Sequence, residues 1–319
     1  MRLAIVLNPR RTTGPKEALW VRAIDALRAA ADACRVIETR GDGTDIERIA
    51  AFVGDPGEEV VVAAGGDGTV GDTVAGILRS GRPHHPDLGI LPLGTANDMA
   101  RSLGLATLRR GDFGAVDSAV NAILGGPRRA VDIGAVNGHP FASAFAAGMD
   151  ADILALRNRL RSRFGLAGES GGYALYLWSC AANLLSRAHG GRVRVSLDGV
   201  SEERAVYNAL VTNAPLYAGE FRFDGDNDCA DGLLDLHVVA GAREYLYEYP
   251  TAWRRHVHAS RGEQVTPSRR LRRAREVVLE FDRPVAGQID GEELPPASSY
   301  RVTVLPRALR VCTTDSSRF

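Results

Sequence analysis

The stretch Val62-Ala63-Ala64-Gly65-Gly66-Asp67-Gly68-Thr69-Val70 decides the fold of this chain. An apolar, β-prone segment at 59–64 ends in two glycines, and a helical pattern follows with apolar residues at i, i+4, i+7 and i+8 from Val70. A strand, a glycine turn and a helix in this order direct backbone N–H groups and the helix dipole toward a phosphate. The sequence therefore predicts a nucleotide-phosphate site, in which Asp67 organises magnesium and Thr69 binds phosphate oxygens. On its own, the run also fits an ordinary tight connection.

A second stretch repeats this architecture. The apolar strand at 88–91 runs into Pro92-Leu93-Gly94-Thr95-Ala96-Asn97-Asp98, and a helix is predicted to begin near Asp98. Two successive strands then bring polar turns to one edge of a sheet, which is where open α/β folds bind their ligands.

The remaining pattern predicts two domains. Strands alternate with helices through residues 1–128, which indicates an α/β domain with a doubly wound, mainly parallel sheet. Residues 129–299 read mostly as strands joined by hairpin dipeptides such as Asn137-Gly138 and Asp198-Gly199, which is typical of an antiparallel β-sandwich. A C-terminal strand at about 300–312 can return to the first domain.

Composition excludes several classes of protein. Lys and Arg total 39, as do Asp and Glu, so the formal net charge is zero and no global field would attract nucleic acid. The four cysteines lack a Cys-x-x-Cys spacing and the seven histidines lack a zinc-ligand spacing, so we expect reduced thiols in a cytoplasmic protein without zinc. The N-terminus does not resemble a signal peptide, and no apolar run approaches the roughly twenty residues that span a bilayer.

Five motifs resemble those of the diacylglycerol kinase catalytic-domain family, which includes bacterial soluble lipid kinases and sphingosine and ceramide kinases. They are Asn8-Pro9-Arg10, Gly65-Gly66-Asp67-Gly68-Thr69, the run from Pro92 to Asp98, Asp231-Gly232-Leu233-Leu234-Asp235 and Asp290-Gly291-Glu292. The first glycine run is shared with NAD kinases, whereas Pro-Leu-Gly-Thr-x-Asn-Asp is not, so the second glycine motif decides the assignment.

This resemblance implies an ATP-dependent lipid kinase that phosphorylates the hydroxyl of diacylglycerol or a related lipid alcohol with the help of Mg²⁺. ATP would lie on the first domain and the lipid on the sandwich, at a membrane surface. The residues that the resemblance assigns to the nucleotide are Asn8, Thr39, Gly65, Gly66, Asp67, Gly68, Thr69, Val70, Gly71, Thr95, Asn97 and Asp98. Arg10, Arg11 and Lys16 could also meet phosphate oxygens, although a solvated helix start is equally expected for Lys16.

The resemblance also implies the catalytic base and a structural ion. Glu292 is assigned as the general base and Asp290 as its support or alternative, because the sequence does not separate the two carboxylates. As an isolated tripeptide, Asp290-Gly291-Glu292 would be a hairpin turn. A structural Mg²⁺ is expected on the Asp231 carboxylate and the carbonyls of Asp228 and Leu233, with a solvated acidic loop at 224–235 as the alternative.

Some features leave alternatives open. Tyr217-Ala218-Gly219-Glu220 replaces the family's usual run of glycines, so the lipid is not identified. Two arginine clusters, at 157–163 and 269–275, are either solvated surface or a docking site for anionic headgroups at the inner face of the membrane. A homodimer is also left open. The rival functions are a NAD kinase-like phosphotransferase and a catalytically silent lipid- or nucleotide-binding regulator.

Overall fold

A parallel sheet forms the N-terminal part of the molecule. The computed structural model describes residues 1–11, 14–54, 57–108, 111–164, 172–185, 191–223 and 228–314. Strands β1 (Arg2–Leu7), β2 (Ala33–Glu38), β3 (Val60–Gly65) and β4 (Asp87–Pro92) pair in the order β4-β3-β1-β2, all in parallel. Strands β3 and β4 are buried along their whole length, as expected for strands covered on both faces.

Helices cover both faces of this sheet. They are α1 (Glu17–Ala30), α2 (Asp45–Gly54), α3 (Asp67–Arg79), α4 (Asp98–Ser102) and α5 (Phe113–Gly125). One apolar core includes residues of α2 and α3, and a second one on the opposite face includes residues of α1 and α5. Successive residues of β1 alternate between the two cores, since side chains in a strand point to opposite faces.

The remaining strands are mostly antiparallel. They are β5 (Arg128–Val136), β6 (His139–Phe141), β7 (Ala144–Gly148), β8 (Gly191–Leu197), β9 (Val200–Val206), β10 (Asn208–Thr212), β11 (Leu234–Val239), β12 (Leu271–Ala274), β13 (Glu276–Ile289) and β14 (Glu292–Cys312). The order β12-β11-β10-β7-β13-β14 forms one sheet path, with β8 pairing β13 and β5 pairing β14. An α/β domain followed by an antiparallel sandwich confirms the predicted fold class.

Three further helices pack on the sandwich: α6 (Met149–Phe164), α7 (Gly172–Leu185) and α8 (Ala242–Ser260). The sequence pattern predicts α7 and α8 but not α6, whose second half is rich in arginine. Across the described ranges, no helix combines the length and the apolar character needed to cross a bilayer.

Strand β14 connects the two sheets. Its first part pairs with β13 through a two-residue turn at Asp290-Gly291, and its last residues pair with β5 and, at Val311, in parallel with β4. Asp290 and Gly291 have φ of 46° and 86°, which matches a type I′ hairpin turn. The strand therefore runs from the turn with the predicted base to the edge of the N-terminal parallel sheet. The domain boundary at residue 128 stays a prediction.

Candidate active site

The glycine turn, residues 65–69, contacts the 93–98 loop through backbone atoms. The N–H groups of Leu93 and Gly94 donate to the carbonyl of Gly65 at 2.9 and 3.0 Å. A Cβ added to Gly94 would lie 2.4 Å from the Cα of Gly66, which no real structure tolerates. Glycine is therefore required there so that the glycine turn and the 93–98 loop can lie directly against each other.

Asp67 links the same two loops through its side chain. Its carboxylate accepts hydrogen bonds from the N–H groups of Asn97 at 2.9 Å and Asp98 at 2.5 Å. These are the N-terminal N–H groups of α4, so Asp67 caps a helix that follows the next strand. Burial raises the pKa of Asp67. Asp67 thus fixes the shape of the site in addition to its predicted contact with the nucleotide.

Asp98 ties this region to the 217–221 loop, which contains the unusual Tyr217-Ala218-Gly219-Glu220 segment. Its buried carboxylate accepts a hydrogen bond from the N–H of Gly219 at 2.6 Å. Burial and the neighbouring Asp67 raise the pKa of Asp98 well above its ordinary value. Arg101 donates to the carbonyl of Gly219, and its guanidinium lies 3.1 Å from Nε2 of His256 on α8.

The acid turn, Asp290-Gly291-Glu292, is anchored by Asp290. Its carboxylate accepts hydrogen bonds from the N–H groups of Ala142, Ser143 and Ala144 at 2.6 to 3.0 Å. The sequence pattern predicts one strand across 141–146, but the backbone turns its N–H groups to Asp290 and breaks into β6 and β7. Burial is the main cause that raises the pKa of Asp290 to about 6.

The acid turn lies directly on the first turns of α3. A Cβ on Gly68 would lie 2.9 Å from Oε1 of Glu292, and one on Gly71 would lie 3.1 Å from Oδ2 of Asp290. Glu292 remains exposed to solvent, yet the protein packed around its carboxyl raises its pKa, with Arg157 opposing this. Two motifs that are far apart in the sequence therefore form one site.

Sequence reasoning missed Asp72, which belongs to this site. Burial and the charges of Glu292, Asp45, Asp290 and Glu47 raise the pKa of Asp72 to about 7. Its position, four residues after Gly68 on the same helix, was the available signal. Asp72 therefore shares the electrostatic environment of the acid turn.

The other predicted nucleotide residues lie at the ends of the parallel strands. Nδ2 of Asn8 lies 3.3 Å from Oγ1 of Thr69, and Thr39 follows β2 with its N–H bonded to Leu7. Thr95 is exposed on the 93–98 loop, where Nδ2 of Asn97 donates to the carbonyl of Gly94.

Val70 and Lys16 have structural contacts at the same edge. The Val70 side chain packs in the core and its N–H bonds to Gly66. The Lys16 ammonium donates to the carbonyls of Leu93 and Gly94 at 2.6 and 3.1 Å. Lys16 is therefore bonded to the 93–98 loop and is not a solvated residue at a helix start. The side chain of Arg11 lies outside the description.

The predicted structural-ion residues contact one another and two arginines. The Asp228 carboxylate pairs with Arg129 and accepts from the N–H of Ala230, and its carbonyl accepts from the N–H of Asp231 at 3.2 Å. The Asp231 carboxylate accepts from the N–H of Leu233 and lies 3.6 Å from Arg273. Residues 224–227 of the acidic run lie outside the description.

The same contacts involve the acids that are predicted to hold the structural ion. No group of three His, Cys, Asp or Glu side chains with metal-binding geometry occurs in the described part of the chain. Arg129 and Arg273 balance the charges of the Asp228 and Asp231 carboxylates in this structure. The ion at Asp228, Asp231 and Leu233 stays a prediction.

Members of both arginine clusters also have partners within the protein. Arg270 pairs with Glu244 and Glu248 on α8, and Arg273 pairs with Asp235. Arg157 lies near Glu292. These arginines therefore serve the structure, and docking on anionic lipid stays a proposal for the exposed members of the clusters.

Comparison with known proteins identifies both halves of the chain. Residues 2–136 match the diacylglycerol kinase catalytic domain, and residues 143–313 match the YegS C-terminal NAD kinase beta sandwich-like domain. A diacylglycerol kinase from Bacillus subtilis (strain 168) is 29% identical over 185 residues, which are 58% of this chain and 56% of that protein. A protein from Chromohalobacter salexigens named "Probable lipid kinase YegS-like" is 37% identical over 121 residues, which are 38% of this chain and 36% of that protein.

A solved structure supports the fold. A diacylglycerol kinase from Bacillus anthracis str. Sterne superposes with a TM-score of 0.69 at 18% identity, covering 98% of this chain and 96% of that one. The matched segment spans about half the length of the Bacillus subtilis relative and less of the Chromohalobacter one. The two domain matches, in the same order as the two structural parts, establish that the chain belongs to the diacylglycerol kinase and YegS-like lipid kinase family.

Proposed function

We propose that this protein is an ATP-dependent lipid kinase that transfers the γ-phosphoryl group to the hydroxyl of diacylglycerol or a related lipid alcohol. The observation that carries the proposal is the contact of Gly68 and Gly71 on α3 with Glu292 and Asp290 of the acid turn. The contact supports the proposal because a helix N-terminus can bind phosphate and an adjacent carboxylate can act as a base.

The nucleotide part of the proposal rests on the start of α3. The first N–H groups of a helix have no partner within the helix, and the glycines at 65, 66 and 68 carry no side chains that could cover these groups. Mg²⁺ bound with the phosphates would neutralise part of their charge, and Asp67 is the acid that the sequence predicts to organise it.

We assign the general base to Glu292. Both Asp290 oxygens already accept backbone N–H groups, whereas the Glu292 carboxyl is exposed beside α3. In the transfer, the lipid hydroxyl oxygen bonds to the γ-phosphorus while the bond from that phosphorus to the β,γ-bridging oxygen breaks. The hydroxyl proton passes to Glu292, and ADP leaves.

The experiment is phosphate transfer from labelled ATP with Mg²⁺ in mixed micelles that carry a panel of lipid alcohols, with NAD as a soluble acceptor. Glu292→Gln keeps the size of the side chain and removes the base. Glu293→Gln is the matched control, because Glu293 is the adjacent exposed acid and contacts Asn158. We expect labelled lipid from the wild type and Glu293→Gln, and a loss of about 10²- to 10⁴-fold in Glu292→Gln.

The other outcomes separate the rival functions. Label on NAD would move the protein to the NAD kinase-like alternative. Nucleotide binding without label on any acceptor would favour the silent regulator. Equal losses in both glutamine variants would remove Glu292 from the role of base. The panel also names the lipid, and comparing micelles with and without anionic lipid tests docking at a membrane surface.

A further inference from the structure

A buried carboxylate lies behind the candidate active site and has no role in the transfer described above. Asp150, on the first turn of α6, accepts hydrogen bonds from four side chains: Tyr245 at 2.7 Å, Asn208 at 2.9 Å, Tyr217 at 3.1 Å and Tyr249. Its residue surface is 9% exposed. Such a concentration of donors on one buried acid holds the groups that donate to it in fixed positions.

Tyr217 extends these contacts to the acid turn. Its hydroxyl donates to Asp150 and accepts a hydrogen bond from Nε2 of Gln288 at 3.1 Å. The other end of the same amide, Oε1 of Gln288, accepts the N–H of Gly291 at 2.9 Å. Gln288 is 4% exposed, so both ends of its amide are engaged inside the protein. Gly291 is the residue between Asp290 and Glu292.

The same loop also contacts the nucleotide side of the site. Two residues after Tyr217, the N–H of Gly219 donates to Asp98, which ends the 93–98 loop and begins α4. The 217–221 loop is therefore linked to the acid turn through Gln288 and contacts Asp98 at the start of α4, the helix that Asp67 caps. A change at Tyr217 can alter the position of the base relative to the nucleotide.

We propose that Gln288, Tyr217 and Asp150 form a positioning network that sets the place of Glu292 in the transfer reaction. The network touches no reacting atom and acts through the N–H of Gly291. This inference rests on the proposed lipid kinase function and adds positioning residues to it. A displacement of about 1 Å at a reacting group can cost on the order of 100-fold in rate, so a single hydroxyl in such a network has a measurable effect.

The test compares two tyrosines that donate to the same carboxylate. Tyr217→Phe removes the hydroxyl that joins Gln288 to Asp150, whereas Tyr245→Phe removes a donor to Asp150 that has no bond to Gln288. Each variant loses one bond to Asp150, and Tyr217→Phe also leaves the buried amide of Gln288 without this acceptor, so we expect its melting temperature to fall more than that of Tyr245→Phe. We expect kcat to fall about 10- to 100-fold in Tyr217→Phe, with KM for ATP nearly unchanged, and to stay within about twofold of the wild type in Tyr245→Phe.

A double-mutant cycle and an exchange measurement complete the test. Gln288→Met breaks the same path, so the double variant with Tyr217→Phe should lose no more kcat than the worse single variant. Amide exchange of the segment with Gly291 should speed up in Tyr217→Phe and not in Tyr245→Phe, whether or not a lipid substrate has been found. Equal kcat and equal exchange in the two tyrosine variants would overturn the network. If the wild type phosphorylates none of the lipids, the proposed function is wrong. The exchange measurement then tests the network on its own.

Discussion

Single glycines decide whether the glycine turn and the 93–98 loop can lie against each other. Gly94 has no room for a methyl group, because the added Cβ would lie 2.4 Å from the Cα of Gly66 and 2.6 Å from Oδ1 of Asn97. The first neighbour is backbone, which cannot rotate away as a side chain can. The requirement for glycine is therefore steric and not one of backbone dihedral angle.

We expect Gly94→Ala to destabilise the protein by about 1–3 kcal/mol and to weaken nucleotide binding by separating the loops. Gly125→Ala is the matched control, since a Cβ at this last residue of α5 meets nothing within 4 Å. The control should be neutral or slightly more stable. Urea denaturation and binding of an ATP analogue measure the two effects, and a Gly94→Ala protein that binds normally would contradict the argument.

Asp72 makes stability depend on pH. The pKa of Asp72 is raised to about 7, whereas an aspartate in an unfolded chain titrates near 3.9. Between these values the folded state binds more protons than the unfolded state, so this group lowers stability as pH rises from about 4 to about 7. Glu292, Asp45, Asp290 and Glu47 face Asp72, and Asp290 shifts in the same direction.

Asp72→Asn should therefore stabilise the nucleotide-free protein more at pH 8 than at pH 5. We expect the gain in free energy of unfolding to be larger at pH 8 by about 1–3 kcal/mol, which is less than the full shift because solvent reaches part of the carboxyl. Urea denaturation without Mg²⁺ measures it. Asp25→Asn, at an exposed acid on α1, should change little at either pH. A gain that is the same at both values would contradict the shift.

The sequence indicated some residue roles and not others. The glycine run at 65–68 indicates a binding turn only together with the second motif at 92–98, because the run on its own also fits an ordinary tight connection. The bond from Asp67 to the 93–98 loop could not be predicted, because it depends on how two separate turns meet. Asp72 was missed since an acid on an amphipathic helix is ordinarily solvent-facing, and only the fold brings Glu292 beside it.

At the scale of elements, Asp290 joins the β13–β14 turn to the break between β6 and β7. Its carboxylate accepts three N–H groups of buried residues, and its φ of 46° disfavours most side chains. The sequence pattern does not predict the break between β6 and β7, because the apolar run from Phe141 to Ala146 is typical of one continuous strand. The sequence pattern also did not predict α6, because the second half of this helix is rich in arginine.

We expect Asp290→Ala to lower the free energy of unfolding by about 3 kcal/mol or more, because three buried N–H groups lose their acceptor. Asp290→Asn should lose less, since one oxygen can still accept from Ser143 and Ala144. Glu292→Ala should change stability by less than about 0.5 kcal/mol, because the side chain is exposed. Denaturant titrations of the three variants measure this, and similar stability in Asp290→Ala and Glu292→Ala would refute the division of roles.

At the scale of the whole molecule, β14 belongs to both sheets. Its 21 residues pair with β13 and β5 and then reach β4 at Val311. Loss of either sheet removes pairing partners from a strand that the other sheet needs. The sequence predicts that a strand at about 300–312 can return to the first domain, and Val311 does pair with β4. The pattern at 300–312 does not reveal that this strand begins at the acid turn.

The shared strand should make the two sheets unfold together. We expect one calorimetric transition. An unreactive ATP analogue with Mg²⁺ should shift the whole transition to a higher temperature. A ligand that binds only the folded state stabilises it by RT ln(1 + [L]/Kd), which is about 2.7 kcal/mol at a ligand concentration of 100 times Kd. Glu292→Gln should keep this shift, since its nucleotide loops are unchanged, whereas Asp67→Ala should lose most of it. Two resolved transitions would contradict this prediction if the analogue shifts only one of them. That result would mean that β14 does not couple the sheets, and that the acid turn can separate from α3 while the nucleotide stays bound.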